Sequence, residues 1–293
     1  MGSTWHEATS LDILDSHSYS VVLHDDWCNG PVPHGGYIVS CFMRAVTAHF
    51  QDTLKRNQPH TMTIHAEFTR RARIGPARVV IKDVKLGRRL STVHVSLVQN
   101  EKEVILGYIT RVNFDIERGI SINTGWGLYP SPCGVDLSKL RDGEDERWVE
   151  PYQGLMSHRH VRTFTPSRGQ FLTGMVDQWI CWRREAEADT GSGFTNDTLG
   201  YVADVFHVEE KFTTFSFATL SLSLDIRKAL PSEGLEWLFM RTTMKQFKNG
   251  RVDAEMVIMD SLGELIAVSN HATLVQLNQG VPDHGEAERK AKI

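Results

Sequence analysis

A repeated order of predicted elements constrains the fold of this chain more than any single motif does. The first copy comprises a strand, a helix and four strands, at residues 18–25, 37–55, 62–70, 77–87, 90–99 and 103–114. The second copy has the same order, at residues 170–184, 199–212, 217–227, 235–247, 250–260 and 264–277. Short sequences also recur, because FTRRA at 68–72 resembles DIRKA at 225–229. A repeated supersecondary unit predicts two copies of one module.

The first helical segment, Tyr37 to Lys55, is apolar around most of its circumference. A helix of this kind is buried on nearly all sides. One antiparallel sheet cannot enclose such a helix, whereas two modules placed side by side extend the sheet and cover each other's edges. The sequence therefore predicts an α+β fold in which two antiparallel sheets each wrap around a central helix.

The domain boundaries follow changes in composition along the chain. Residues 1–118 form the predicted N-terminal module and residues 166–277 the C-terminal module. Residues 119–165 hold Gly, Pro and charge clusters, which favour a linker or insertion with little structure of its own. Residues 278–293 form a polar tail.

Charge and hydropathy exclude several classes of partner and location. The chain has 32 Lys and Arg against 36 Asp and Glu, a net charge of −4. This balance predicts no nucleic-acid partner and no binding to an anionic membrane surface. The apolar runs are too short for a membrane helix, and the N-terminus lacks a secretory pattern. We expect a cytoplasmic protein, or a peroxisomal one, since the ending Ala291-Lys292-Ile293 resembles the Ser-Lys-Leu address.

Familiar nucleophile, nucleotide and metal motifs are absent from the sequence. It has no G-x-S-x-G elbow, no GxxxxGK[ST] loop and no GxGxxG loop. Its four cysteines form no CxxC pair, it has no H-E-x-x-H motif, and His158-Arg159-His160 lacks a zinc-site spacing. We therefore expect no metal and no organic cofactor.

Several polar residues lie where buried elements are predicted. Asp204 has apolar neighbours in the second helix, so its carboxylate is either a functional base or a structural hydrogen-bond partner. Thr219 and His271 lie on predicted strands, where packing roles are also common. Gly35 and Gly36 precede the first helix, where backbone N–H groups at the positive helix end can stabilise an oxyanion or simply close a tight turn.

Four short motifs carry a resemblance to a known family. They are Pro33-His34-Gly35-Gly36-Tyr37, Tyr201-Val202-Ala203-Asp204, Ala218-Thr219-Leu220 and Asp260-Ser261-Leu262-Gly263-Glu264-Leu265-Ile266-Ala267. With them, residues 15–115 and 165–277 resemble the acyl-CoA thioesterase II-like family and its fungal thioesterase-like members. The resemblance implies a double hotdog fold and cofactor-independent hydrolysis of an acyl-CoA or acyl-carrier-protein thioester.

The resemblance also implies a set of site residues. Asp204, Thr219 and His271 stand at the catalytic positions, where they would hold and polarise the attacking water. His271 replaces the family's Gln, and an imidazole can bind water and accept a proton near neutral pH. His34 and Tyr37 flank the Gly35-Gly36 turn, and these four residues are the expected substrate-binding group.

The His at the Gln position leaves other functions open. A related hotdog enzyme could dehydrate, isomerise or cyclise a polyketide-like intermediate, since an imidazole adds acid and base capacity. A binding module without turnover is the third interpretation. The exposed outer edges of the sheets also predict that copies of the chain can pair as a homo-oligomer.

Overall fold

One antiparallel sheet of fourteen strands runs through the part of the chain that the computed structural model describes, residues 3–151, 160–167, 174–183, 193–205 and 215–277. In spatial order the strands of its main path are β1 (Asp12–Asp15), β2 (Ser18–Leu23), β6 (Gly75–Leu86), β7 (Ser91–Gln99), β8 (Lys102–Val112), β5 (His60–Glu67), β12 (Phe215–Ile226), β16 (Leu265–Leu277), β15 (Arg251–Met259), β13 (Leu238–Thr243), β11 (Met175–Trp182), β10 (Val161–Pro166) and β9 (Trp148–Val149). Strand β14 (Phe247–Lys248) pairs with β15 off this path, and β3 (Cys28–Asn29) pairs with β4 (Val32–Pro33) in a separate ribbon.

The two halves of the sheet repeat one another. The order β2-β6-β7-β8-β5 in the first half corresponds to β11-β13-β15-β16-β12 in the second. The halves join where β5 and β12 run antiparallel, with His65 opposite Ser223. The predicted repeat is therefore present, and the two predicted sheets are continuous because each module covers one edge of the other.

The first central helix, α2 (Gly35–Ala48), lies in the core as its sequence predicts. Ten of its fourteen residues are buried, and a π turn (His49–Thr53) continues it. It begins two residues before the predicted start, because His34 has extended backbone and Gly35 is already helical. Smaller helical turns lie at α1 (Trp5–Ala8) and α3 (Leu137–Leu140).

The second central helix, α4 (Leu199–Val202), is only one turn long in the described chain. The predicted helix extended to residue 212, but Ala203 and Asp204 form a turn, and residues 206–214 lie outside the described residues. Helix α4 packs against the start of α2 at backbone distance. A β-carbon on Gly36 would lie 2.5 Å from the Gly200 carbonyl oxygen, and Ser40 Oγ accepts the Tyr201 N–H at 2.9 Å. Small residues therefore set how closely the two helices approach.

The segment predicted as a linker, 119–165, has structure of its own. It contains α3, β9 and most of β10, so the predicted boundary at 165 falls inside a strand. Its residues join a second apolar cluster against the C-terminal half of the sheet: Leu140, Trp148, Phe164, Trp179, Cys181, Trp237 and Phe239. Burying these aromatic side chains outweighs the Gly, Pro and charge content that suggested a linker.

A buried ion pair links β11 and β13. Asp177 and Arg241 are opposite each other in register, and the guanidinium donates to both carboxylate oxygens, at 2.6 and 2.8 Å. A third guanidinium nitrogen donates to the Pro130 carbonyl at 2.6 Å, which ties the 119–165 segment to the sheet.

Two remaining sequence-based expectations concern membrane spans and the C-terminal tail. Among the described residues, no helix has both the length and the apolar character needed to cross a bilayer. The predicted polar tail, 278–293, with its Ala291-Lys292-Ile293 ending, lies outside the described residues.

Candidate active site

Asp204 lies in the turn after α4, and its carboxylate faces the N-terminus of α2. Its Oδ2 atom accepts the Gly36 backbone N–H at 2.8 Å, and only 9% of the side chain is exposed. Unpaired N–H groups and the positive end of the helix dipole favour a negative charge at this position. The close α2–α4 contact therefore places a carboxylate of one module against the helix of the other.

His34 lies on the same side of this carboxylate as Gly36. Its Nε2 atom is 3.1 Å from the Asp204 carbonyl oxygen and 3.6 Å from Asp204 Oδ2. A carbonyl oxygen can only accept, so Nε2 carries a proton and donates it to the Asp204 backbone. His34 thus holds the turn that carries Asp204.

His271 approaches the carboxylate from strand β16. Its Nδ1 atom lies 3.5 Å from Asp204 Oδ1, and its Nε2 atom lies 3.0 Å from Ser269 Oγ. Burial lowers the pKa of His271 below its ordinary value of 6.5, and the nearby His34 acts in the same direction. The Asp204 carboxylate and a hydrogen bond to the Ala203 backbone oppose this shift. The ring is therefore neutral at physiological pH.

Three of the residues expected to bind substrate are Gly35, Gly36 and Tyr37. The two glycines contact Asp204, whereas Tyr37 lies in the core. A β-carbon at Gly35 would lie 2.9 Å from Asp204 Oδ2 and 3.2 Å from the Phe68 ring, so the backbone passes close to the carboxylate. Gly36 donates its N–H to Asp204, and this N–H is not left over for an oxyanion. The Tyr37 side chain is fully buried, and its hydroxyl donates to the Ala8 carbonyl, so the phenol belongs to the core.

Thr219 is placed on the inner face of the sheet by its register. It pairs with Thr273, which is buried and lies two residues beyond His271 on β16. Directly opposed residues of an antiparallel pair share a face, so Thr219, Thr273 and His271 face the same way. Within the described chain, no hydrogen bond joins the Thr219 hydroxyl to Asp204 or His271. The structure thus brings Asp204, His34 and His271 together and places Thr219 on the same face of the sheet as His271.

Two further residues support the site and were not among the sequence-based candidates. The Gln178 side chain, fully buried on β11, donates to the Val205 carbonyl at 2.8 Å and so fixes the chain immediately after Asp204. Ser269 bonds the His271 ring on the side away from Asp204. Gln178 lies on a strand that is buried along its whole length, and a polar residue on such a strand is the signal that identifies its position.

The arrangement combines a carboxylate and two imidazoles, all almost entirely buried, with a helix N-terminus. Asp204 Oδ1 and His271 Nδ1 are too far apart for a direct hydrogen bond of normal length, yet a single water molecule can contact both. Such a pair can orient water and move a proton without a metal ion.

The two halves match two family descriptions. Residues 23–112 match the acyl-CoA thioesterase N-terminal domain, and residues 136–275 match the acyl-CoA thioesterase C-terminal domain. The second match begins inside the segment predicted as a linker, in agreement with the strands found there. Thioesterase-like protein TwmA of Talaromyces wortmannii is 31% identical, over 92% of this chain and 91% of its own length.

Solved structures share the architecture at low identity. A protein of unknown function with a hot dog fold from Alicyclobacillus acidocaldarius superposes with a TM-score of 0.74, at 14% identity over 94% of this chain and 98% of its own. Acyl-CoA thioesterase II TesB2 from Mycobacterium marinum gives a TM-score of 0.63, at 16% identity over 95% of this chain and 100% of its own. These likenesses confirm the predicted α+β double hotdog fold. With both family descriptions matched over most of its length, the chain belongs to the acyl-CoA thioesterase family.

Proposed function

We propose that this protein hydrolyses acyl thioesters and that Asp204 is the residue on which the reaction depends. The proposal depends on the position of this carboxylate. The Gly36 N–H donates to its Oδ2 atom, and its Oδ1 atom faces His271. Family membership supports the reaction class. The name of the relative TwmA, thioesterase-like, is consistent with it.

In the proposed reaction a water molecule lies to one side of Asp204 Oδ1 and His271 Nδ1, within hydrogen-bond distance of both atoms. The water oxygen attacks the thioester carbon while Asp204 takes its proton. The tetrahedral intermediate then collapses, the carbon–sulfur bond breaks, and the proton passes from Asp204 to the departing thiolate. The products are a free acid and a free thiol. A positioned base of this kind contributes about 10²–10⁴-fold to the rate.

His271 takes the place of an amide donor in this proposal. Its Nδ1 faces an acceptor, the Asp204 carboxylate, so the ring proton belongs on Nδ1 and the Ser269 hydroxyl donates to Nε2. A neutral ring can then donate to the water oxygen as the side-chain amide of Gln would. Protonation of the ring would place a cation beside Asp204 and make the carboxylate a weaker base.

The acyl group of the substrate reaches the site past Thr219 in this proposal. Gly35 lets the backbone pass tightly between the Asp204 carboxylate and the Phe68 ring, which a β-carbon would meet at 2.9 and 3.2 Å. Thr219 faces inward beside Thr273 and lines the path of the acyl group. The acyl donor is acyl-CoA or an acyl carrier protein, the two carriers expected for this reaction class.

The test is a panel of acyl-CoA and acyl-pantetheine thioesters of increasing chain length, assayed for free thiol and for free acid. We expect stoichiometric release of both with at least one member of the panel. Protein carrying Asp204→Asn serves as the matched control, because it differs by one atom at the proposed base. Equal release by both proteins, or release by neither, would contradict the proposal.

A second candidate function is supported by the two histidines around Asp204. With His34 within 3.6 Å of one carboxylate oxygen and His271 within 3.5 Å of the other, the site holds more than one group able to exchange protons. A non-hydrolytic reaction such as dehydration, isomerisation or cyclisation would use them as an acid and base pair. Mass spectrometry separates the two candidates, because these reactions keep the thioester and change its mass by one water or not at all.

A further inference from the structure

Two histidines and an aspartate converge at the opposite end of α2 from Asp204. His17 lies in the turn between β1 and β2, His49 begins the π turn after α2, and Asp83 lies on β6. One ligand atom from each lies within 4.8 Å of the other two. At 1.5 Å per residue, the helix separates this cluster from the Gly36 end by about 20 Å. The cluster is therefore independent of the candidate active site.

The distances in this cluster suit a transition-metal ion. His49 Nε2 is 3.0 Å from Asp83 Oδ1, and His17 Nε2 is 3.5 Å from Asp83 Oδ2. Ligand atoms about 2.0–2.1 Å from a tetrahedral zinc ion lie about 3.3 Å apart, close to both of these distances, each of which ends on a different Asp83 oxygen. Two imidazole nitrogens and one carboxylate oxygen are also a donor set that zinc-type ions favour.

The backbone and hydroxyl of Ser16 orient both rings. His49 Nδ1 is 2.9 Å from the Ser16 carbonyl oxygen, and His17 Nδ1 is 2.8 Å from Ser16 Oγ. Metal-binding histidines usually direct their second ring nitrogen to such a partner, which fixes the tautomer and the ring plane. Both Nε2 atoms are thereby directed toward Asp83.

This tautomer requires a positive charge between His49 and Asp83. The Ser16 carbonyl can only accept, so the His49 proton is on Nδ1. A neutral ring would then direct the lone pair of Nε2 at a carboxylate oxygen only 3.0 Å away, which is repulsive. The His49 side chain is fully buried, so solvent does not screen this repulsion. Either a second proton or a metal ion removes it.

The surroundings favour a cation and leave it accessible. The end of α2 carries the negative side of the helix dipole. Asp15 lies beside the cluster, with its carboxylate accepting the His17 backbone N–H at 2.8 Å. His17 is 42% exposed, so solvent reaches the open side of the cluster, where water can complete the coordination.

We propose that His17, His49 and Asp83 bind one zinc-type divalent metal ion, which fastens the β1–β2 turn to the end of α2. The role is structural and does not involve the thioester chemistry. We expected no metal because the sequence has no local metal-site spacing. Such a spacing cannot reveal this site, because its three ligands come from separated segments.

The test uses full-length, tag-free protein freed of metal by a chelator and then titrated with Co²⁺ and with Zn²⁺. We expect one Co²⁺ per chain with visible ligand-field absorption, displacement by Zn²⁺, and a rise in melting temperature with either ion. His17→Ala should abolish all three effects, and because its side chain is partly exposed this variant should fold. Asp83→Asn provides a second, shape-preserving test of the same prediction.

Two control variants separate this site from other histidines. His94→Gln removes a half-buried histidine on β7 that faces Tyr108 and lies outside the cluster. Asp204→Asn changes the carboxylate between His34 and His271. Both should bind Co²⁺ as the unaltered protein does. No stoichiometric binding, or equal binding by His17→Ala and the unaltered protein, would overturn the proposal and leave a protonated His49–Asp83 pair as the explanation.

Discussion

The backbone N–H of Gly36 donates to Oδ2 of Asp204 at 2.8 Å, across 168 positions of sequence and between the two repeated halves. This bond requires α4 to lie against the first turn of α2. Because Gly36 and Gly200 have no side chains, the two helices come close enough for it to form. The fold of each half is thus needed to position the carboxylate of the candidate site.

Replacing Gly36 with Ala tests this contact. The added β-carbon would lie 2.5 Å from the Gly200 carbonyl oxygen, 2.7 Å from Asp204 Cβ and 2.9 Å from the Tyr201 carbonyl oxygen, so the helices must separate. We expect a net loss of about 2 kcal/mol in the free energy of unfolding, despite the helix propensity of Ala. Thioester hydrolysis should fall as well.

Gly127→Ala is the matched control for this variant, because a β-carbon there would have no atom within 4 Å. Chemical denaturation of both variants measures the difference. Equal stability of Gly36→Ala and Gly127→Ala would mean that the helices are not held at backbone distance.

The pH dependence of hydrolysis tests the role of His271. Its pKa is lowered by burial, so the ring is neutral above 6.5 and becomes charged only at more acidic pH. We expect activity to be constant through neutral pH and to fall as the pH drops through this lowered pKa, since the imidazolium weakens Asp204. His271→Gln should keep measurable activity and lose that acidic decline. Identical pH profiles in the two proteins would contradict a donor role for a neutral His271.

The lowered pKa of His271 also makes the stability of the folded protein depend on pH. Stability, like activity, should fall toward acidic pH. The unfolded chain binds a proton at His271 more readily than the folded chain does, because the folded pKa is lower. The contribution of His271 to stability is therefore complete above the unfolded value of about 6.5 and is lost as the pH falls toward the folded value. Denaturation midpoints of the unaltered protein and His271→Gln, compared between pH 5 and 8, should converge at the acidic end.

The buried pair on β11 and β13 gives a prediction that concerns stability alone. Asp177→Asn would leave the Arg241 guanidinium, only 4% exposed, without its counter-charge. We expect a loss of about 3–5 kcal/mol in the free energy of unfolding. Asp225→Asn breaks the exposed pair with Arg227 and should cost about 1 kcal/mol or less. Similar losses in the two variants would contradict the importance given to the buried Asp177–Arg241 pair.

The repeated pattern made most of the architecture predictable. Helix α2 has apolar residues around its circumference, and alternation along runs such as 90–99 marks half-buried strands, so both signals are local. The candidate residues Asp204 and His271 do face each other, although each was identified by position in a motif and not by distance. The role of Gly36 was different from the expected oxyanion role, because its N–H already binds Asp204.

The remaining features depend on contacts between distant segments. Nothing local to Trp148 or Phe164 indicates that they cover Trp179 and Trp237, so composition suggested a linker where the structure has strands. Gln178 supports the turn after Asp204 from a strand that reads as uniformly buried. Such partners become visible only when the sheet register is known.

In the proposed reaction Asp204 is the base that activates water. Asn at this position can still accept the Gly36 N–H, so the folded structure should persist while the base is lost. We predict that Asp204→Asn retains its melting temperature and lowers kcat/KM for the best thioester of the panel by about 10²-fold or more. Asp225→Asn, which changes an exposed carboxylate on β12, should leave kcat/KM unchanged. Undiminished hydrolysis by folded Asp204→Asn would contradict the account.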